Sequence, residues 1–503
     1  MIRFGTFLTG LLLALSMQAQ ELRLPKVFGN NMVLQRGLAL PVWGWAPAGA
    51  AITVSVAGQS VSVETPMEGR WQLKLAPLKA SAEATEFVVT AGKARIELTN
   101  VLVGDVWLCS GQSNMEWRVS QSNNPKEEIA AANFPNIRFM DVNAHNALMA
   151  PIDDVPSSGW HAVSPKTVGN FSGVGYFFGR KLHQELDIPI GLIGSNWGGT
   201  RSEPWTPPEG FARVPELKSI VDRLENEKTQ AKQRRYDAIP ALADWVATAK
   251  AAKARGVTPP PVPGVAQPPR VGHQDPTRIY NGMIHGLVPF GIKGAIWYQG
   301  ESNAGDGQGY FFKKKALIEG WRHIWGQGDF PFYFVQLAPF RGYSSWAPVW
   351  GGQIATLQIP NTGMAVTTDI GNLRDIHPKN KQDVGLRLAL QALHRDYGQK
   401  DLVFQGPLFK SAEFATGTAI CSFETVGGGL VSSDGEPLRT FQMAGADKRF
   451  LPATATITGD TVKVVCEAIQ NPVSVRMCWS GNEAPNLANA QGLPASPFRS
   501  DSW

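Results

Sequence analysis

Much is missing from this sequence, and the gaps narrow its class. Only four of 503 residues are cysteine: Cys109, Cys421, Cys466 and Cys478. That is too few for a disulfide scaffold, and no Cys or His cluster shows metal-ligand spacing, so no zinc site and no metal are expected. No block of Lys and Arg is dense enough for a nucleic-acid groove, and the net charge is only +5. After the first twenty residues no apolar run is long enough to cross a bilayer. No internal repeat of fixed period is found. Tyrosine is scarce, with 8 against 16 Trp. Indole faces pack cores, but they also stack on the apolar faces of sugars.

What is present suggests a large, exported, multi-part protein. The chain is 43% hydrophobic and 18% charged, so it can bury extensive cores, and its length implies two or three domains. Met1-Ile2-Arg3 begins a positive stretch, residues 7–15 are apolar, and Ser16-Met17-Gln18-Ala19 offers a small residue for cleavage. Residues 1–19 therefore read as a signal peptide. The mature protein is expected to be free of the membrane and periplasmic or secreted. In that compartment disulfides form, and Cys466 with Cys478 is the expected pair. Cys109, in an apolar strand, reads as a buried free thiol.

Residues 21–98 read as a β-sandwich. Ile52, Val54 and Val56 alternate with small or polar residues, as do Val61 and Val63, then Trp71, Leu73 and Leu75. From 99 to 400 the pattern changes to short continuous apolar runs at 106–109, 190–193, 295–298, 332–337 and 364–367. Such runs suit strands covered on both faces, as in a parallel sheet. Helical periodicity at 176–186, 309–325 and 385–394 alternates with them, so a doubly wound α/β domain is expected. Residues 209–272 interrupt it. Leu217, Ile220, Val221 and Leu224 mark one helical face, a second helical stretch covers 240–254, and a Pro-rich segment, 258–263, must be extended. The segment reads as an inserted helical hairpin with a stiff linker, more a passive surface element than a lid. Residues 401–503 read as a C-terminal β-domain, with strands at 453–457, 461–465 and 473–479.

Four polar motifs follow four of the expected parallel strands, at the carboxyl ends where such sheets gather ligands. Gly111-Gln112-Ser113-Asn114-Met115-Glu116-Trp117 puts a serine on a tight turn before a helix, its hydroxyl exposed and its own N–H free to face an oxyanion. Asp375-Ile376-His377-Pro378 puts an acid and an imidazole on one loop. A serine hydroxyl needs a base, and a carboxylate can fix that base's tautomer. His273, close to Asp275, is the rival base. Gly194-Ser195-Asn196-Trp197-Gly198-Gly199-Thr200 lets backbone N–H groups approach a bound oxygen. Trp297-Tyr298-Gln299-Gly300-Glu301-Ser302-Asn303 adds amides and an acid. Any one of these could be an ordinary turn or cap. Their convergence on one rim is what the fold would have to supply.

These blocks resemble the ordered blocks of the SGNH hydrolase superfamily. More narrowly, the chain is similar to the sialate O-acetylesterase family and related carbohydrate acetylesterases. Gly104-Asp105-Val106-Trp107 before the serine block and the Trp297–Asn303 block are the most specific matches. The likeness runs from about residue 22 to 400. The resemblance implies a flavodoxin-like doubly wound sheet, flanked by the two β-domains, and a serine mechanism without a cofactor. Ser113 would attack an acetyl carbonyl, His377 would carry the proton, and Asp375 would orient His377. The oxyanion would rest on the N–H groups of Ser113 and of Gly198 or Gly199, Gly199 being the choice, together with a side-chain amide. Gln299 stands where the superfamily usually offers Asn, and Asn303 is its alternative. One residue, rather than two, separates Asp375 from His377, and Glu301 competes as the orienting acid. Asp375 is preferred because it is local to the base. Trp117, Trp197 and Trp205 are candidates for stacking on sugar, and Arg201 for a forked contact to a sialate carboxylate. The implied substrate is acetylated carbohydrate, either sialic acid or a plant polysaccharide such as xylan. A non-catalytic sugar binder and a lipase-like esterase are the competing readings.

Overall fold

The computed structural model describes residues 21–142, 144–263, 271–342 and 346–503. The expected signal peptide lies outside these residues. Six strands come first: β1 (Val33–Gln35), β2 (Leu40–Trp45), β3 (Ala51–Val56), β4 (Gln59–Glu64), β5 (Arg70–Leu75) and β6 (Ser81–Ala91). The alternation seen in the sequence has its cause here. Ile52, Val54 and Val56 of β3 are buried, as are Trp71, Leu73 and Leu75 of β5, and the residues between them are not. β2 pairs with β5, while β4, β3 and β6 form a second antiparallel set. Val42, Trp43, Val54, Trp71 and Phe87 from both sets share one buried cluster.

β7 (Ala94–Gly111) joins this region to the rest. Its first seven residues lie at the surface or half-buried, and Val101 to Gly111 are all buried. The first part pairs antiparallel with β6. The last part is the centre of a larger sheet. At the usual rise per strand residue its 18 residues span about 60 Å. The expected boundary near residue 98 therefore falls inside a strand, not in a linker.

The larger sheet adds β8 (Phe134–Asp141), β9 (His161–Val163), β10 (Ile190–Asn196), β11 (Gly294–Tyr298), β12 (Phe332–Val335) and β13 (Thr362–Ala365), in the order β13-β12-β11-β7-β10-β8-β9. Every neighbouring pair is parallel except β8 with β9. Trp107 and Cys109 of β7 face one buried cluster, with Phe177 and Phe178 of the Gly173–Leu186 helix and Leu388 of the Lys381–Asp396 helix. Val106 and Leu108 face another, with Leu317 and Trp321 of the Tyr310–Trp325 helix. Helices cover both faces, which is why these strands lack polar alternation. The chain is thus a mixed α/β protein with a central, mostly parallel sheet and additional β-sheet regions.

Two expectations need correction. The insertion is not a helical hairpin: one 37-residue helix, Lys218–Ala254, runs straight through Pro240. Proline there deprives the Tyr236 carbonyl of its intrahelical donor. Because Tyr236 is exposed, water can take the donor's place. The Cys466–Cys478 pair is also absent, since all four cysteines are free and buried. Cys466 follows the Thr461–Val465 strand, and Cys478 follows Ser474–Met477. These strands, near in sequence, lie in different sheets. Among the described residues no helix is long and apolar enough to cross a membrane.

Gly104 marks the tightest crossing of the frame. A Cβ there would sit 1.9 Å from the Pro189 carbonyl oxygen. Gly104→Ala should destabilise the protein by about 2 kcal/mol or more, because backbone rather than a flexible side chain must move. A urea unfolding curve checks this.

Candidate active site

The sheet's carboxyl ends bring the sequence motifs together. Gly111 ends β7 at φ +140, and a Cβ on it would lie 2.2 Å from the Tyr298 carbonyl oxygen of β11. Only glycine fits this close crossing. Gln112 then donates its N–H to Tyr298 O (3.0 Å), and a four-residue helix, Ser113–Glu116, starts at the serine. From the loop after β13, His377 reaches back. Its Nε2 lies 2.8 Å from Ser113 Oγ, although 264 residues separate them.

Asn114, next in the chain, ties these two loops. Its Nδ2 donates to the Ile376 carbonyl (2.9 Å) and to Glu301 Oε1 (2.6 Å), and its Oδ1 accepts from Lys381 Nζ (2.5 Å). Asn114, Glu301 and Lys381 are all buried. Burial pushes the Glu301 carboxyl up, against the lowering effect of Asn114 and Lys381. It brings the Lys381 ammonium down to about 7, against the pull of Glu301 and Asp375. Asn114 was noted in the sequence only as part of a motif, and Lys381 was not singled out. The signal available for Lys381 was its place four residues after His377, at the start of a helix.

Asp375 is close to His377 but loosely held. Its Oδ1 accepts the His377 backbone N–H at 2.9 Å and lies 3.7 Å from Nδ1 of the ring. It therefore shapes the loop by a short turn and stands beside the imidazole as a charge. Glu301 accepts from Asn114 through Oε1, and its buried Oε2 has no hydrogen-bond partner among the described residues. His377 is lowered from its usual value, first by burial, then by the charge of Lys381, and Asp375 opposes both. A neutral imidazole at pH 7 follows, which can accept a proton.

The third motif lies beside Ser113. A Cβ on Gly198 would be 3.3 Å from Ser113 Cβ. The Gly198 N–H is donated to Glu116 Oε2 at 2.7 Å, so it does not face the serine's oxygen. Gly199, at φ +73, has no acceptor for its N–H among the described residues. No acceptor is found there for the Ser113 N–H either.

Several expected roles do not survive this geometry. Gln299 is fully buried and donates Nε2 to Thr200 O (3.1 Å) and Asn303 Oδ1 (2.7 Å), while its Oε1 accepts from the Tyr310 hydroxyl. It is not placed to donate to an oxyanion. Asn303 is likewise committed, donating to Glu203 and Asp306. Arg201 already donates from Nη2 to Asp306 (2.8 and 3.0 Å) and from Nε to Glu203 (3.2 Å), so the Nε–Nη2 edge of its guanidinium is taken by internal carboxylates. Trp205 is fully buried. Trp117 stacks on the His377 ring at 5.0 Å and 15°. Trp197 stacks on His145 at 4.7 Å and on His273 at 5.2 Å. His273 is thus a neighbour of Trp197 rather than of the serine. Among the described residues, no group of three or more His, Cys, Asp or Glu side chains could hold a metal.

Comparison with known proteins now defines the class. The family model described as carbohydrate esterase, sialic acid-specific acetylesterase matches residues 103–239 and 272–394, more than half of the chain. A rat sialate O-acetylesterase is 34% identical over 448 residues, covering 78% of this chain and 76% of that protein. The mouse sialate O-acetylesterase is 30% identical, covering 95% and 94%. The crystal structure of a carbohydrate acetylesterase from Xanthomonas citri superposes with a TM-score of 0.80 at 37% identity, covering 96% of this chain and all of that one. The protein is a carboxylic ester hydrolase. It belongs to the sialic acid-specific acetylesterase family of carbohydrate esterases.

The site's electrostatics can be read directly. His377, followed by NMR, should titrate below its ordinary value of 6.5. In Asp375→Asn the midpoint should fall further, because the nearby negative charge that favours the imidazolium is gone.

Proposed function

We propose that the protein removes O-acetyl groups from carbohydrate by a serine mechanism of the SGNH type. The observation that carries this reading is the 2.8 Å approach of His377 Nε2 to Ser113 Oγ, within the range for direct proton transfer. Ser113 Oγ attacks the acetyl carbonyl carbon as its proton passes to His377 Nε2. The Ser113 and Gly199 N–H groups, which have no acceptor among the described residues, are the donors that take the oxyanion in this reading. Collapse breaks the bond to the sugar oxygen, and His377 returns the proton to it. The acetyl group stays on Ser113. Water, deprotonated by His377, attacks that ester, the bond to Ser113 Oγ breaks as His377 returns the proton to Oγ, and acetate leaves. Asp375 is the orienting acid in this reading, because its carboxylate lies beside the imidazole while Glu301 is bonded to Asn114. Asp375 fixes the loop that carries His377 as well as favouring its charged form.

The names of the mammalian relatives support a sialoside as substrate, and an acetylated polysaccharide such as xylan fits the same chemistry. The leader expected over residues 1–19 supports work outside the cytoplasm.

Hydrolysis of 4-nitrophenyl acetate tests the mechanism. Ser113→Ala should lose activity by at least about a thousandfold with the fold intact, and equal rates would end the proposal. The neutral form of His377 is the active one, so kcat/KM should rise with pH along an acid limb. Since His377 is held below its ordinary value of 6.5, the limb's midpoint should lie below that value, and activity should be flat as pH passes from there through 7.

A further inference from the structure

Beside the serine, between the carboxyl ends of β8 and β10, lies a cavity of about 280 Å³. Glu116, Arg118, Asp141, His145, Asn170 and Asn196 contribute to its lining. Its lining residue Glu116 links it to the nucleophile: the Cβ position of Gly198 is 3.1 Å from Glu116 Oε2 and 3.3 Å from Ser113 Cβ.

Two of the lining groups have unused hydrogen-bonding capacity. The Asp141 carboxylate and the Asn196 side-chain amide have no hydrogen-bond partner among the described residues. Asp141 is not an incidental surface acid. It stands at the end of β8, and its Oδ1 fills the space where a Cβ on Gly194 would be, 2.1 Å away. The absent side chain on β10 is what lets the carboxylate lie there. The carboxylate is half-buried and opens on the cavity, so its acceptors are available to a donor from outside the chain. Burial and the neighbouring charge of Glu116 also push Asp141 up to about 7, against the charge of Arg118. Near neutrality it can therefore accept from one hydroxyl or donate to another.

We propose that this cavity binds a pair of neighbouring free hydroxyls of the acetylated carbohydrate, with Asp141 as their principal partner and Asn196 as the second. Its volume suits one sugar ring or one short polyol chain rather than an oligosaccharide. A vicinal diol of either kind matches a carboxyl beside an amide, since each hydroxyl both donates and accepts. Glu116 holds the Gly198 turn and cannot release that bond without moving the turn beside Ser113, so Asp141 is the group free to bind. The inference rests on the serine acetylesterase reading above, and names the part of the substrate that the site holds. The diol can be the 2,3-hydroxyls of an unacetylated ring next to the acetylated one in a neutral oligosaccharide, or the glycerol chain of a sialate.

The experiment compares three substrates: acetylated xylo-oligosaccharide, 9-O-acetyl sialoside and 4-nitrophenyl acetate, which has no diol. In Asp141→Asn the ratio of kcat/KM on the better sugar substrate to that on 4-nitrophenyl acetate should fall by about tenfold or more, mainly through KM. Asn196→Ala should lower the same ratio. Whichever sugar ester shows the fall identifies the source of the diol. If both variants keep the wild-type ratio within about twofold on both sugar esters, the proposal is overturned. The same holds if all three substrates lose activity in parallel, because that marks damage to the fold or to Ser113. Wild type without Ser113-dependent hydrolysis of 4-nitrophenyl acetate would instead overturn the underlying mechanism.

Discussion

Asn114 is the interaction on which the site's geometry depends. The nucleophile's loop leaves β7 and the histidine's loop leaves β13, at opposite positions in half of the sheet. Among the described residues no strand pairing joins the two loops at the serine, and besides the Ser113–His377 contact itself the tie is made by a side chain. The Asn114 amide donates to Ile376 O while also meeting Glu301 and Lys381. Asn114, Glu301 and Lys381 are buried, so the bonds among them are worth more than in water and each vacancy would cost more. The same burial sets the charges. Glu301 and Lys381 are both driven toward their neutral forms, and what charge Lys381 retains depresses His377. Structure and basicity at this loop thus share one cause.

The frame explains why those loops can be held so closely. β7 is buried over its last eleven residues and has β10 and β11 as parallel neighbours. Its apolar side chains enter cores on both faces. Gly111 then passes so near Tyr298 that no side chain fits. The serine is lifted from a strand buried and paired on both sides, and the histidine loop is tied to it through Asn114.

Much of this was legible in the sequence. Continuous apolar runs gave the parallel strands because both faces are covered, and alternation gave β3 and β5 because one face is. Ser113 and His377 could be placed together because polar motifs at successive carboxyl ends must converge. Direction was not legible. Gln299 sits at the expected strand end, yet its amide turns inward to Thr200 and Asn303. Arg201 has the expected position but is neutralised by Asp306 and Glu203. Both outcomes depend on partners distant in sequence. Proline suggested a break at residue 240, since a local rule does not register that water can serve an exposed carbonyl. Cys466 and Cys478 looked paired because sequence proximity does not reveal a change of sheet.

The shared strand bears on how this protein can be taken apart. A cut near residue 99 would not release a ready catalytic unit. It would leave β7 as a stump, remove its pairing with β6 and β1, and expose to water the hydrophobic layer that Trp43 and Phe87 share with Val106 and Leu108. The amino-terminal strands are therefore not interchangeable cargo. They are a structural splint for the enzyme, and recombination among relatives should preserve the whole of β7 with its partners.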